Sequence, residues 1–216
     1  MSDPLVNEAS GRDQDERDIE RVLNLWFRQR ELDTPGLDAR MQFWFGEDAE
    51  LDIQIRHQFG SLIKRASDGE LDHWAEAADG RLALILVLDQ FRRNAYRGRP
   101  EAFSHDRAAL KLCVEGAIAK HDKALTPLQR AFFYMPMQHI ESLKVQNKSV
   151  AVFRELAKGV TGTDQDTFET FADFAELHRD IVAQFGRFPH RNAILGRAST
   201  AEELTYLDDG PDFGQR

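Results

Sequence analysis

The segment Arg81–Tyr96 constrains the fold most strongly, because its first half is apolar on every side. Seven consecutive apolar residues, Leu82–Leu88, lead directly into Asp89 and Gln90. Such a run has to be covered on several sides, which predicts an element at the centre of the molecule. A buried parallel strand has a similar composition, but the segment continues to Gly98 without a turn signal, and this length favours a helix.

The remainder of the chain shows helical periodicity and no convincing strand. From Glu16, apolar residues recur on one face at Ile19, Val22, Leu23, Trp26 and Phe27. Helix boundaries are marked by capping and breaking residues at Thr34-Pro35-Gly36, Asp48, Thr126-Pro127, Gly186 and Thr200–Glu203. We predict an all-α fold of about eight or nine helices, arranged as a bundle or as a stack of helical hairpins.

Length and composition predict one domain. The chain has 216 residues, 42% of them hydrophobic, which suits a single core. Residues 1–15 are polar and predict a flexible N-terminal arm. Residues 16–207 form the predicted helical domain, and residues 208–216, which begin with Asp-Asp-Gly-Pro, predict a loose C-terminal tail.

Charge and cysteine content exclude several classes of protein. The net charge of −9 acts against binding to nucleic acid or to an anionic membrane. The single cysteine, Cys113, excludes an internal disulfide and a multi-cysteine metal site. The N-terminus shows no signal peptide, and no apolar run approaches the roughly 20 residues of a membrane-spanning helix. We therefore expect a cytoplasmic protein with no nucleic-acid or membrane partner.

No familiar catalytic or cofactor-binding motif is present. The sequence lacks a phosphate-binding loop, a dinucleotide-binding glycine motif, a serine-hydrolase motif and a His-Glu-x-x-His motif. One Glu-x-x-His motif occurs, Glu70–His73, whereas a di-iron helix bundle requires a pair of them. We predict no metal and no cofactor, and the sequence assigns no catalytic residue.

Three polar clusters are candidate ligand-binding segments. The first follows the apolar run, the second surrounds Pro136, and the third lies in an irregular stretch near the C-terminus. The candidate residues are Asp89, Gln90, Arg93 and Asn94, then Tyr134, His139 and Glu141, then Arg187, His190, Arg191 and Asn192. Arginine forks bind carboxylate or phosphate groups, and a histidine near a carboxylate can act as a base. This chemistry would suit a small anionic ligand.

Each cluster also has a purely structural interpretation. Arginines in the last turns of the central helix would complement the helix dipole. His139 would begin a predicted helix, His139–Lys158, and Glu141 would not face it there, because residues two apart lie on different sides of a helix. Arg187 and Arg191 would pair with Asp89 and Glu141. His178 lies on an apolar stripe and is most simply a core histidine.

Several motifs resemble one bacterial family. They are Val22-Leu-x-x-Trp26-Phe27, Leu88-Asp-Gln-Phe-Arg-Arg-Asn94, Phe133-Tyr-Met-Pro-Met-Gln-His139, and Gly186-Arg-Phe-Pro-His-Arg-Asn192 with Leu195-Gly-Arg-x-Ser-Thr-x-Glu-Glu203. Over about residues 20–207 the chain resembles the family called domain of unknown function nine hundred and twenty-four. The resemblance implies an all-α fold similar to tetratricopeptide-repeat proteins and implies no activity. Arg92 replaces the family's usual Pro, so the central helix can continue without a kink.

Two functions follow as hypotheses. An interaction module would hold a protein or peptide partner in a concave helical groove. Alternatively, a small-molecule binding protein or enzyme would use a polar site built from Asp89–Asn94, Tyr134–Glu141 and Arg187–Asn192, which we expect to converge. A closed pocket of about 300 Å³ or more would favour the ligand site, and an open groove with exposed aromatic residues would favour the partner.

Overall fold

The computed structural model describes residues 4–28 and 37–215, so the break predicted at Thr34-Pro35-Gly36 lies outside the described residues. Helices and turns make up the described part, and no strand occurs in it, which confirms the predicted all-α class. None of its helices is both long and apolar enough to cross a lipid bilayer. A hairpin stack like that of tetratricopeptide repeats stays a prediction.

The α-helices follow one another with short connections, many of them single 3-10 turns. They are α1 (Pro4–Leu23), α2 (Leu37–Phe45), α3 (Ala49–Ser67), α4 (Ala78–Leu86), α5 (Arg92–Ala95), α6 (Asp106–Ile118), α7 (Pro127–Tyr134), α8 (Leu143–Lys158), α9 (Gln165–Phe185) and α10 (Ala201–Asp209). The long helices α8 and α9 pack along each other, and α4 contacts α1, α6 and α7. The apolar helix α4 is therefore central, as its composition predicts.

The central helix runs from α4 through a π-helical turn, Val87–Phe91, into α5. Every residue from Leu82 to Val87 is fully buried. The π turn holds Asp89, and such turns are uncommon and frequently lie at functional sites. The helix continues through Arg92, which is buried and donates hydrogen bonds to Glu101 O at 3.1 and 2.8 Å.

Aromatic rings fill the space around the central helix. The Trp26 ring lies edge-on to Phe132 at 5.6 Å and is 5.7 Å from Phe91, measured between ring centroids. Phe171 of α9 joins the same cluster at 6.1 Å from Phe132. Contacts of this kind add about 0.5–1.5 kcal/mol beyond the burial of area. A smaller apolar cluster, formed by Ile181, Val182 and Phe188, lies beneath the C-terminal stretch.

Several helix ends are capped as the sequence predicts. Asp48 accepts hydrogen bonds from Glu50 N and Leu51 N at 2.9 and 3.0 Å. Thr126 and Thr200 each form a complete capping box with the residue three positions later. Gly186 ends α9 in the left-handed conformation, with φ +70°.

The two chain ends differ from the prediction. Helix α1 begins at Pro4, so the residues assigned to a flexible arm are helical from that point. Asp15 anchors this helix, because its carboxylate lies 2.7 Å from His73 Nε2. The C-terminal residues 208–216 are not a loose tail, since α10 continues to Asp209 and both Gly214 and Gln215 are buried.

The predicted helix His139–Lys158 begins later, at Leu143. Pro136 sits in a 3-10 turn, Met135–Met137, and the chain remains irregular through Ser142. Proline has no N–H to continue an α-helix, which explains the interruption. His139 and Glu141 are therefore held by irregular backbone, and the argument that they cannot serve one site on a helix does not apply.

Candidate functional site

Asp89 is the fully buried centre of the polar network. Its Oδ1 accepts hydrogen bonds from His139 Nδ1 at 2.7 Å and from Arg93 Nη1 at 2.9 Å, and its Oδ2 accepts one from Gln90. Burial opposes the charged form, but the Arg93 guanidinium and His139 outweigh it and lower the pKa of Asp89 to about 2. Asp89 is therefore an ionised carboxylate inside the protein.

A row of alternating charges extends from Asp89 to the C-terminal stretch. Arg93 donates to one oxygen of Asp106 at 2.9 Å, and Arg191 donates to the other at 2.8 Å. The Arg191 guanidinium also lies over the rings of Phe103 and Phe188, at 4.4 and 4.7 Å from their centroids. The first and third predicted clusters are thus joined through Asp106, a residue that sequence analysis did not single out.

The C-terminal stretch is fixed by two further ion pairs. Arg197 donates to both carboxylate oxygens of Glu141, at 2.7 and 2.9 Å. Arg187 donates to both oxygens of Glu203 at 2.6 and 2.7 Å, and Asn192 donates to the same carboxylate at 3.3 Å. Glu141 also accepts a hydrogen bond from Phe188 N at 2.8 Å.

The structural pairing proposed from sequence therefore has different partners. Arg187 pairs with Glu203 and Arg191 with Asp106, whereas Asp89 and Glu141 are bound by Arg93 and Arg197. Charge alone predicted that these arginines would find acids. The choice among acids depends on the turn at Pro189–Arg191, which periodicity does not reveal.

A cavity of about 300 Å³ opens beside this network. Five of the predicted residues line it: Gln90, Arg93, Asn94, His139 and His190. The other walls include Trp44, Phe45, Phe103, Phe171, Phe174, Arg97, Gln138, His178 and residues 211–215. Asp89, Glu141, Arg187, Arg191 and Asn192 are not among the lining residues and hold the surrounding segments in place. The three predicted segments do converge, but Tyr134 turns to a separate partner, donating to Asp122 at 2.9 Å.

Three imidazoles line this cavity, those of His139, His178 and His190. Burial is the first cause that lowers each pKa, followed by Arg93 for His139, by His139 for His178 and by Arg191 for His190. The pKa falls to about 3 in His178 and to about 2 in His190. All three rings are therefore neutral near pH 7.

The partners of these rings fix which nitrogen carries the proton. Nδ1 of His139 lies 2.7 Å from the ionised Asp89, and Nδ1 of His178 lies 2.7 Å from Phe174 O. Because a carboxylate and a carbonyl only accept, Nδ1 donates in both rings and Nε2 is left as an acceptor. Sequence analysis treated His178 as a core histidine. It is buried, but the position on the apolar stripe gave no signal that the stripe faces a cavity.

Some polar atoms of the lining residues have no partner. In the part of the chain that the structure describes, these are Gln138 Nε2, His190 Nδ1 and Gln215 Oε1. The three side chains are 2%, 8% and 5% exposed, so their unpaired atoms are shielded from solvent. Each unpaired buried polar atom costs about 1–3 kcal/mol. The wall of the cavity is thus incompletely satisfied.

Residues 211–215 close one side of the cavity. The Phe213 ring lies 4.2 Å from the His178 ring and 5.1 Å from that of His190. Arg97, which Asp52 binds at 2.6 and 2.9 Å, donates a hydrogen bond to Gly214 O. Phe213 has φ +54°, a left-handed conformation that costs roughly 1–2 kcal/mol for a residue with a Cβ.

The cavity is not arranged as a metal site. Among the described residues, no group of three or more His, Cys, Asp or Glu side chains could hold a metal ion. The rings of His139 and His178 are 6.1 Å apart between centroids, and their Nδ1 atoms already donate to protein acceptors. The chemistry that the site offers is acceptance of hydrogen bonds, and of a proton at His139.

The sequence of a known family matches most of this chain. A family described as bacterial protein of unknown function (DUF924) matches residues 22–211. The chain belongs to the DUF924 family. This confirms the resemblance drawn from the sequence motifs. The match includes Asp89, His139, His178 and His190, and it ends before residues 212–215 of the cavity wall.

A solved structure supports the same placement of this DUF924 protein. The protein of unknown function ATU0120 from Agrobacterium tumefaciens is 39% identical in sequence, and the two structures superpose with a TM-score of 0.69. The similarity covers 77% of the present chain and 89% of the Agrobacterium chain. No curated protein matches the sequence significantly. The family and its solved member therefore establish the fold and carry no assigned activity.

Proposed function

We propose that this DUF924 protein binds a small uncharged molecule that combines an apolar or aromatic part with a hydrogen-bond donor. The observation that carries the proposal is the convergence of three neutral imidazoles on one cavity of about 300 Å³. This volume lies at the lower end of the range for ligand pockets, so it suits a metabolite and not a polymer. The Nε2 acceptors of His139 and His178 require a donor on the ligand.

The charge balance favours an uncharged ligand over the anionic ligand expected from sequence. Arg93 is held by Asp89 and Asp106 at 2.9 Å, and Arg97 is held by Asp52 at 2.6 Å. An anion would have to displace a protein carboxylate from a charge-assisted hydrogen bond of ordinary length. It would also meet the ionised Asp89 behind His139.

The aromatic side chains of the cavity supply the apolar part of the site. Trp44 from α2 and Phe171 and Phe174 from α9 line it. Burial of an apolar ligand against such walls contributes about 25 cal/mol for each Å² removed from water. The combination of a mostly apolar wall with a few fixed polar groups is typical of small-molecule sites.

The Asp89–His139 pair favours a second function, acid–base catalysis on the bound molecule. An imidazole that donates Nδ1–H to a buried carboxylate is held in the tautomer that can accept a proton at Nε2. The lining residues include no serine, threonine or cysteine. The proton would therefore come from the ligand or from a water molecule, and not from a protein nucleophile.

The interaction module has less support. The most exposed large apolar side chains in the described part of the chain are all aliphatic: Ile53, Val114, Ile118, Leu143, Leu195 and Leu204. A partner groove of the expected kind would expose aromatic residues. The aromatic rings instead line an internal cavity, which agrees better with a small ligand.

A thermal-shift screen tests the ligand proposal. We expect uncharged, donor-bearing compounds from a metabolite library to raise the melting temperature of the wild type. His178→Phe keeps an aromatic ring and removes the Nε2 acceptor, so these compounds should no longer stabilise it. His57→Phe, an exposed site on α3, is the matched control and should respond like the wild type. Compounds that stabilise His178→Phe equally, or a library in which only anions act, would contradict the proposal.

A further inference from the structure

We infer that residues 210–215 form a lid, and that a ligand enters the cavity when Phe213 leaves the His178 and His190 rings. The role of the lid in ligand entry rests on the proposed function, whereas the opening itself does not. The lid residues Asp212–Gln215 lie beyond the segment that matches the DUF924 family. The lid is thus an element of this chain that the family match does not account for.

A few contacts at the cavity hold the lid closed. Phe213 lies against His178 with 4.2 Å between ring centroids, and Arg97 donates a hydrogen bond to Gly214 O. Within the lid, Gly214 N donates to Asp212 Oδ1 at 2.9 Å and Gln215 N donates to Asp212 O at 3.2 Å. The internal bonds keep the lid in one shape, and they can persist when it moves as a unit.

The closed position carries costs that opening would remove. Phe213 adopts the left-handed conformation, at φ +54°. Gln215 Oε1 in the lid and His190 Nδ1 in the wall are both buried without a hydrogen-bond partner. Opening exposes both atoms to water and releases the strained residue. The free-energy difference between the closed and open positions is therefore small compared with global stability, as is usual for mobile covers of binding sites.

Gly210 and Pro211 provide the hinge. Gly210 N donates to Tyr206 O at 2.8 Å, and a Cβ at Gly210 would lie 2.7 Å from Tyr206 Cε1, so the start of the lid is tied to α10. Helix α10 is anchored by the Glu203–Arg187 pair at 2.6 Å. Residues 212–215 can therefore leave the cavity while α10 stays in place.

Collisional quenching of Trp44 by acrylamide tests the lid without a ligand. Trp44 lines the cavity and is 4% exposed, whereas Trp26 and Trp74 are buried and are not lining residues. We expect Phe213→Ala, made in the full chain, to raise the quenching constant roughly threefold or more, because the cavity opens locally. The control Leu204→Ala, an exposed site on α10, should leave quenching unchanged.

A second variant separates lid opening from general loosening. The increase caused by Phe213→Ala should disappear in Trp44→Phe/Phe213→Ala, because Trp26 and Trp74 remain buried. Quenching that is unchanged by Phe213→Ala would overturn the lid, and so would an increase that survives loss of Trp44. Since acrylamide is the probe, the lid can fail while ligands still bind, and the ligand screen can fail while the lid is real.

Discussion

His139 Nδ1 lies 2.7 Å from Oδ1 of the fully buried Asp89, although the two residues are 50 positions apart in the sequence. The bond joins the π turn of the central helix to the irregular segment after Pro136. It fixes the tautomer of His139 and holds the carboxylate ionised. The arrangement of the cavity depends on this contact.

Removal of the Asp89 charge should destabilise the protein strongly. Asp89→Asn keeps the shape but leaves the Arg93 guanidinium inside the protein with only Asp106 as an acidic partner. We expect a loss of about 3–5 kcal/mol in the free energy of unfolding, as for other broken buried ion pairs. Urea denaturation measures it. The control Asp173→Asn, which breaks an exposed pair with Arg154, should change stability by less than about 1 kcal/mol.

Arg191→Ala should also lower stability, because Arg191 is a structural connection in this account. It bonds to Asp106 at 2.8 Å and lies over Phe103 and Phe188. We expect a loss of about 3–5 kcal/mol, measured by the same denaturation, since Asp106 loses a buried partner. Arg99→Ala, on the surface, serves as the control. An Arg191→Ala protein as stable as the wild type would argue against the charge row.

Gly116 should not tolerate a methyl group. A Cβ there would overlap Arg81 Cδ and lie 2.8 Å from Phe133 Cζ. Arg81 cannot easily move, because it donates hydrogen bonds to Ala75 O at 2.6 Å and to Leu112 O at 2.9 Å. Gly116→Ala should therefore cost about 1–3 kcal/mol in thermal unfolding. Gly60→Ala, a helical site on α3 with open space around it, should instead stabilise by roughly 0.5–1 kcal/mol.

Stability should fall as the pH decreases from neutral. Folding lowers the pKa of His178 to about 3 and that of His190 to about 2 from the ordinary value of 6.5. Below pH 6.5 the unfolded chain therefore binds more protons than the folded protein. The stabilisation is complete above that pH and is lost progressively toward the folded pKa values. Each ring should lose about 1.4 kcal/mol per pH unit in this window.

Denaturation at pH 7, 6 and 5 checks the slope. The burial of the rings and the neighbouring cations Arg93 and Arg191 both act against protonation. His178→Phe should flatten the dependence by about one ring's contribution. The exposed His57→Phe should leave it unchanged. A wild type that is equally stable at pH 7 and pH 5 would show that these imidazoles accept protons when folded.

The sequence determines the central helix and the convergence of the polar clusters. The run Leu82–Leu88 has to be buried, and its polar end at Asp89 has to lie at the edge of the core, where it needs partners. Capping residues such as Thr200 act locally and could be read directly. These features depend on residues close in the chain, which is why periodicity and caps reveal them.

Features that depend on distant packing could not be predicted. A histidine on an apolar stripe has the same pattern whether it faces a filled core or a cavity, so His178 gave no signal. The π turn at Asp89 adds a residue to a helix whose composition is ordinary. Residues 211–215 have the composition of a loose tail, and they dock because His178 and Arg97 happen to face Phe213 and Gly214.

The most direct test of the central claim is a long-range ¹H–¹⁵N NMR spectrum of the histidine side chains at pH 7, assigned with His139→Phe and His178→Phe. The account predicts neutral rings for His139 and His178, each carrying its proton on Nδ1 and leaving Nε2 as an acceptor for a ligand. Doubly protonated rings, or protons on Nε2, would contradict it.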